Sequence, residues 1–242
     1  MRRSGWLPLL LAIVGWSVAA PARAQSLYGP GGLFLHPTAT MQEAGHLTPA
    51  AILLPEHNPP KHTTWLWLSG AVDYGVTKNL EAGLTVVKIT AHYGAASAGG
   101  FLKYRLLEER RNRPAVAVGF TGLGFGAADT RIGFLAVRKQ AGSIRKLPIY
   151  LHAGVQYVDL RDGMSLHEFE PYGGIEFALT PRLSLSAEAR PRLEHEWGTP
   201  LALTAAYRVT RYWRLAVAWA NNGASDRPFF AIGAGFSLGS RK

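Results

Sequence analysis

The 242-residue sequence contains no cysteine. Disulfide staples, thiolate metal sites and a cysteine nucleophile are therefore excluded, and an exported chain built this way needs another source of rigidity. Charge is sparse at 17% of residues, and acids are the scarcer sign, with 16 Asp and Glu against 26 Lys and Arg. Long apolar runs are missing too. Past the first two dozen residues, every apolar stretch is broken by a charge or a turn signal before reaching the roughly 20 residues of a spanning helix. Yet 48% of the chain is hydrophobic, too much for a disordered protein. Only helices and closed barrels satisfy their backbone polar groups in lipid, so a chain of this kind that enters a membrane does so as a barrel.

The first segment reads as an address. Arg2 and Arg3 precede an apolar stretch from Trp6 to Ala20, and Ala22-Arg23-Ala24 fits the small-x-small rule, so cleavage is expected between Ala24 and Gln25. Setting aside Arg2, Arg3 and Arg23 lowers the formal charge from +10 to +7. That excess suits outer-membrane lipids with anionic headgroups or an anionic polysaccharide, while export argues against nucleic acid as a partner. The expected organisation is a signal peptide over 1–24, a Gly/Pro segment over 25–45 and one β-barrel over 46–242.

From His46 onward, hydrophobicity alternates with period two. Trp213, Leu215, Val217 and Trp219 alternate with Arg214, Ala216 and Ala218; Leu183, Leu185, Ala187 and Ala189 alternate with Ser184, Ser186, Glu188 and Arg190. Counted this way the chain is all-β, an antiparallel transmembrane β-barrel of about twelve strands near 46–54, 63–76, 79–90, 97–107, 113–122, 130–139, 147–159, 168–179, 182–193, 199–209, 212–221 and 228–238. Three connections share one pattern, an aromatic three residues before a threonine: Tyr74 and Thr77, Phe177 and Thr180, Tyr207 and Thr210. They read as one short hairpin used three times at one end, the periplasmic end, where an even strand number also puts both termini. Aromatics from Trp65 and Trp67 through Tyr150, Tyr172 and Trp219 are expected to form girdles at the membrane interfaces.

The last strand carries Gly233, Phe236 and Leu238 and resembles the C-terminal signal read by the barrel assembly machinery. Near the other end, Gly32-Leu33-Phe34-Leu35-His36-Pro37-Thr38-Ala39, followed by Gly45-His46-Leu47, resembles the opening of YjbH-type outer-membrane proteins. The resemblance implies a barrel linked to exopolysaccharide production and export, here as a short single-barrel member, and it brings no catalytic residues. Residue by residue, the glycines permit a sharp turn and Pro37 stiffens the chain. The favoured reading of this segment is a plain lead-in strand; the other is a piece tucked into the lumen or sealing the barrel's periplasmic mouth.

If the apolar alternates face lipid, then Lys103, Arg105, Arg190, Arg208 and Arg214 point inward, with Glu81, Glu176 and Glu188 as candidate counter-charges. Such a set either holds anionic sugars or forms interior ion pairs, and ion pairing is favoured because buried charges are expected to be paired. By strand position, Arg208 and Arg214 belong together near the Thr210 turn and Arg190 lies at the other end. His167, Glu168 and Glu170, and Glu194, His195 and Glu196, are metal-ligand types without a diagnostic count and read as solvated loops. Ser165, His167 and Glu168 are neighbours on one loop and lack a hydrolase motif, so no enzyme activity and no cofactor is expected. The role expected is structural or transport-related in the outer membrane, with a lipid-modifying enzyme or a soluble periplasmic binding barrel as the alternatives.

Overall fold

The computed structural model describes residues 24–26, 31–58, 63–89, 96–125, 129–144, 146–161, 166–194, 196, 198–223 and 225–239. The apolar leader over 1–23, and Ser165 and His195, lie outside the described residues. Two short strands come first, β1 (Ala24–Gln25) and β2 (Gly31–Gly32), paired antiparallel with Gln25 opposite Gly31. The barrel follows: β3 (His46–Asn58), β4 (Thr63–Gly75), β5 (Leu80–Ile89), β6 (Ala96–Leu107), β7 (Ala115–Phe125), β8 (Thr130–Ile144), β9 (Leu147–Leu160), β10 (Leu166–Ala178), β11 (Leu183–Ala189), β12 (Leu201–Arg208), β13 (Trp213–Asn221) and β14 (Phe229–Phe236), with β15 (Leu238–Gly239) as a final extension.

Each strand from β3 to β14 pairs with its sequence neighbours, and β14 pairs back onto β3 with Ile232 opposite Leu53. β15 continues the seam, with Leu238 opposite Leu47. The sheet therefore has no free edge, and closure supplies the rigidity that absent disulfides do not.

Alternation decides what faces where. Outward positions carry large apolar side chains: Leu84 is 69% exposed, Phe169 71% and Phe230 66%, exposures that a lipid surround accommodates and water does not. Inward positions of β12, β13 and β14 carry small residues, among them Ala202, Ala206, Ala218, Ala220 and Ala231, all buried. Elsewhere inside, three rings lie over glycines directly opposite on the neighbouring strand: Phe101 over Gly83, Phe134 over Gly119, and Tyr172 over Gly154. A Cβ on any of these glycines would collide with the ring, so they let aromatics pack flat inside the wall.

The aromatic girdle needs a correction. Tyr74, Tyr104, Tyr207 and Trp213 are exposed on the outside toward one end, and Tyr157, Phe169, Trp219 and Phe230 toward the other. Trp65 and Trp67, however, share the parity of the buried Ser69, Ala71 and Asp73, and Trp67 packs against the internal apolar cluster. Tyr172 is buried inside, and Tyr150 lies under the Arg138 guanidinium at 3.6 Å. Their strand registers, set by charged neighbours of the same parity, send these four rings inward.

The three threonine hairpins are one structure repeated. Thr77 Oγ1 accepts from the Asn79 and Leu80 amides at 3.1 and 3.0 Å, Thr180 Oγ1 from Arg182 and Leu183 at 3.1 and 2.9 Å, and Thr210 Oγ1 from Tyr212 and Trp213 at 3.1 and 3.0 Å. The last carbonyl of each turn is also used alike: Asn79, Arg182 and Tyr212 accept from Arg105, Arg208 and Ser237 on the adjacent strand. All three lie at the end that holds Ala44 and β15. Short turns and paired termini mark the periplasmic end of an even-stranded barrel. A single cysteine at Thr180, in this cysteine-free chain, is therefore expected to resist an impermeant thiol reagent in whole cells, whereas one at Asp226 reacts. The reverse labelling would invert the topology.

Candidate functional site

The site begins with the glycine-rich segment ahead of β3. At its root the Gly45 amide donates to the Gly75 carbonyl at 2.7 Å, and Ala44 bridges Gly75, so the chain enters beside the base of β4. From there back to Leu33 it runs inside the barrel: Leu33, Phe34, Leu35, His36, Thr38, Ala39 and Met41 are all buried. Gly32 bridges Pro37, folding the tip into a tight loop, and a Cβ at Gly32 would strike the His36 carbonyl.

Apolar contacts fix two sides of this segment. Phe34 and Leu35 pack with Ile52, Leu54, Ala202, Ala218, Ala220, Phe229 and Ala231, filling the room that the alanines leave. Ala39 packs with Ala115, Ala117, Phe134 and Ala136 on the opposite wall.

Polar contacts fix its height. The Glu188 carboxylate accepts from the Leu35 amide at 2.9 Å and from the His36 amide at 3.1 Å, and its Oε2 lies 2.9 Å from His36 Nδ1. The His36 ring stacks on Tyr172 with centroids 4.5 Å apart, and the Tyr172 hydroxyl donates to the Pro37 carbonyl at 2.8 Å. Lower down, Lys103 donates to the Thr40 carbonyl at 2.7 Å and pairs with Glu81 at 3.0 Å, while Glu81 accepts from the Gln42 amide at 2.8 Å. Buried ions placed this way are stable because partners replace their lost hydration. Gln42 Nε2 also donates to Thr48 at the start of the wall.

The five inward cations do not gather into one patch. Lys103 is fully buried in the Glu81 and Thr40 contacts just described. Arg105 pins the β4–β5 turn, donating to Asn79 Oδ1 at 3.0 Å and to the Lys78 carbonyl at 2.6 Å. Arg190 sits at the far end, 3.3 Å from Glu170 and hydrogen-bonded to Glu196 at 2.9 Å. Arg208 and Arg214 stand directly opposite each other on β12 and β13, near the Thr210 turn. Of the candidate counter-charges, Glu81 takes Lys103, Glu176 lies 3.4 Å from His152, and Glu188 serves the inserted segment rather than a strand cation.

At the far end the β11–β12 connection turns inward. Glu196 is buried, accepting from Arg190 and, at 2.8 Å, from the Leu193 amide, and Gly198 donates to the Gly223 carbonyl at 3.3 Å. Glu194 is exposed, and His167 lies 3.2 Å from Asp159, so the acid and histidine neighbours of the sequence are drawn into separate contacts. Between the inserted segment and the wall of β11 to β14, a cavity of about 130 Å³ remains, lined by Thr40, Ser184, Ser186, Thr204, Arg214 and Ala216.

Sequence reasoning did not single out His36, Gln42 or Tyr172 as parts of this arrangement. For Tyr172 a signal existed, its shared parity with Glu170 and Glu176; for His36 and Gln42 none did.

In fold the chain is similar to the KdgM porin, at 10% identity and TM-score 0.56, covering 79% of this chain and 99% of that one. A second structure of that porin, in complex with disordered oligogalacturonate, matches at 11% identity, TM-score 0.56 and the same coverage. An outer-membrane channel from Pseudomonas putida F1 matches at 10% identity and TM-score 0.50, covering 81% and 96%. No curated protein is significantly similar in sequence. Residues 24–221, which take in the inserted segment and nearly all of the barrel, match the YjbH family, described as exopolysaccharide biosynthesis protein YbjH. The chain belongs to the YjbH family, and its described residues form a closed twelve-stranded antiparallel barrel similar in fold to the KdgM porin.

Proposed function

We propose that this protein is an outer-membrane export channel for an envelope polysaccharide, held shut by its own inserted segment. The observation that carries the reading is the way the lumen is filled. Residues 33–42 occupy it through hydrogen bonds to charged and hydroxyl groups, Glu188, Tyr172, Lys103 and Glu81. A passing polar chain can take over these polar contacts one by one once the apolar packing of Phe34, Leu35 and Ala39 is released.

The route to the membrane follows from the sequence: removal of the leader between Ala24 and Gln25, then insertion through the terminal Gly233, Phe236 and Leu238 signal into outer-membrane lipid. The substrate class follows from the family and from the fold. The family is described as an exopolysaccharide biosynthesis protein, and the KdgM porin, which is similar in fold, has a structure in complex with disordered oligogalacturonate. The reading is non-enzymatic, since Glu81 and Lys103 pair with each other, Glu188 holds the segment and Arg190 pairs with Glu170.

A host strain deleted for this gene tests it. Released acidic polysaccharide is expected to fall severalfold, with the polymer retained in the periplasm, and to return when the full chain is supplied. Unchanged release would contradict the export role.

A further inference from the structure

The two ends of the barrel handle charge differently. Each of the five turns at the periplasmic end carries at least one exposed cation: Lys78, Arg110 and Arg111, Lys146, Arg182, and Arg211. Among the described residues, none of these six forms an ion pair with an acid. The acids of that end are already taken: Glu108 lies 3.9 Å from Arg105, Glu109 lies 3.3 Å from Arg138 and 3.9 Å from Lys139, and Glu43 lies 3.6 Å from His46. At the opposite end, among the described residues, four cations are matched, Arg131 with Asp129, Arg161 with Asp159, Arg190 with Glu196, and Arg227 with Asp226, and only Lys88 and Arg192 have no acid partner.

The rim is also held in shape. Lys139 donates to the Arg110 and Arg111 carbonyls at 2.6 and 2.9 Å, so the β6–β7 turn is tied to β8 while Arg110 and Arg111 stay exposed. From Arg182 the charge continues inward. The Arg208 amide donates to the Arg182 carbonyl at 2.8 Å, Arg208 faces Arg214 across the strands, and Arg214 lines the cavity together with Ser184, Ser186 and Thr204, a cavity that Asp73, Glu81 and Glu176 also line. Thr204 is 4% exposed and its hydroxyl has no partner among the described residues.

We infer that the periplasmic rim is the loading site of the channel, a receptor for a polyanionic, carboxylate-bearing glycan that enters along Arg182, Arg208 and Arg214. This rests on the export reading and adds the substrate's charge and its direction of entry. A ring of uncompensated cations raises the local concentration of a polyanion and speeds its capture, an effect that salt weakens. Cations that served only lipid headgroups would sit on the outer flank; here they continue into the lumen.

The test uses the full chain in nanodiscs of zwitterionic lipid, titrated with oligogalacturonate and with an uncharged maltooligosaccharide of equal length. Oligogalacturonate is expected to bind, with affinity falling as salt rises, and the neutral sugar to bind at least tenfold more weakly. Arg182→Glu with Arg211→Glu is expected to cost tenfold or more, while Arg161→Glu with Arg227→Glu at the opposite end leaves binding within twofold. If the rim pair fails to assemble by heat-modifiable migration, Arg182→Gln with Arg211→Gln replaces it, with a smaller loss expected. Equal binding of the neutral sugar, or equal loss from both pairs, would overturn the inference. So would absence of glycan binding combined with retention of anionic phospholipid that the rim variant abolishes, which would make the rim a lipid site. Binding that persists in a strain background where export proves unaffected would sink the export reading and spare the rim; export that fails on deletion, with no binding at the rim, would do the opposite.

Discussion

Glu188→Ala is expected to free the inserted segment without unfolding the barrel. The carboxylate holds the Leu35 and His36 amides and the His36 ring, all buried. A hydrogen bond to a charged group contributes about 1.5–3 kcal/mol, so the two amide bonds alone come to about 3 kcal/mol or more. At 1.4 kcal/mol per factor of ten, the inserted state should lose about a hundredfold in population relative to the released one. Limited proteolysis reads this directly: the segment over 33–42 should become cleavable in the variant while β3 to β14 stay protected. Glu188→Gln keeps the shape and one acceptor oxygen and should give a smaller effect. Unchanged resistance of the alanine variant would mean that the apolar contacts of Phe34, Leu35 and Ala39 hold the segment by themselves.

Lys103→Met is expected to be the most damaging single change to the wall. Lys103 and Glu81 are both essentially inaccessible, and Asp73 stands close enough to feel both charges. Removing the lysine leaves two buried carboxyl groups side by side, and breaking a buried pair from one side costs about 3–5 kcal/mol. The same substitution deletes the bond to the Thr40 carbonyl, so the foot of the segment loosens as well. Apolar replacement of both members of a buried pair is often close to neutral, so Lys103→Met with Glu81→Leu should recover much of the loss. The temperature at which gel migration shifts to the unfolded position measures both. A single variant as stable as the parent would show that the pair contributes little.

The barrel was legible because its physics is local. Alternation along each strand, and hydroxyl-capped turns at Thr77, Thr180 and Thr210, require no knowledge of distant residues, and all twelve strands are found where the alternation places them. Boundaries moved where tertiary contacts took over. β8 continues to Ile144 rather than stopping near 139, because the β8–β9 hairpin extends past a bulge between Gln140 and Gly142. β11 stops at Ala189 rather than near 193, because Arg190 and Glu196 draw the connection over the mouth.

The inserted segment was not legible as the favoured reading. Its Leu33-Phe34-Leu35 run looks like any lead-in strand, and what places it inside is the row of small inward residues on β12, β13 and β14, far along the chain. Such a row is a vacancy needing a filler, but which segment fills it depends on the closed geometry. The same holds for the cations. Parity gives their direction, and the facing of Arg208 and Arg214 followed from their shared turn, whereas the counter-charge of Lys103 and the network around Arg190 depend on register across strands.

The claim that the inserted segment closes a transport lumen is tested most directly by single-channel recording in planar bilayers, comparing the full chain with a variant lacking residues 33–41. The full chain should be closed or open only in brief events. The deletion variant should show steady conductance that favours anions because Arg208 and Arg214 stand opposite each other on β12 and β13, and Arg208→Glu with Arg214→Glu in that background should reverse the preference. Two equally silent barrels, with assembly verified for both, would contradict the account.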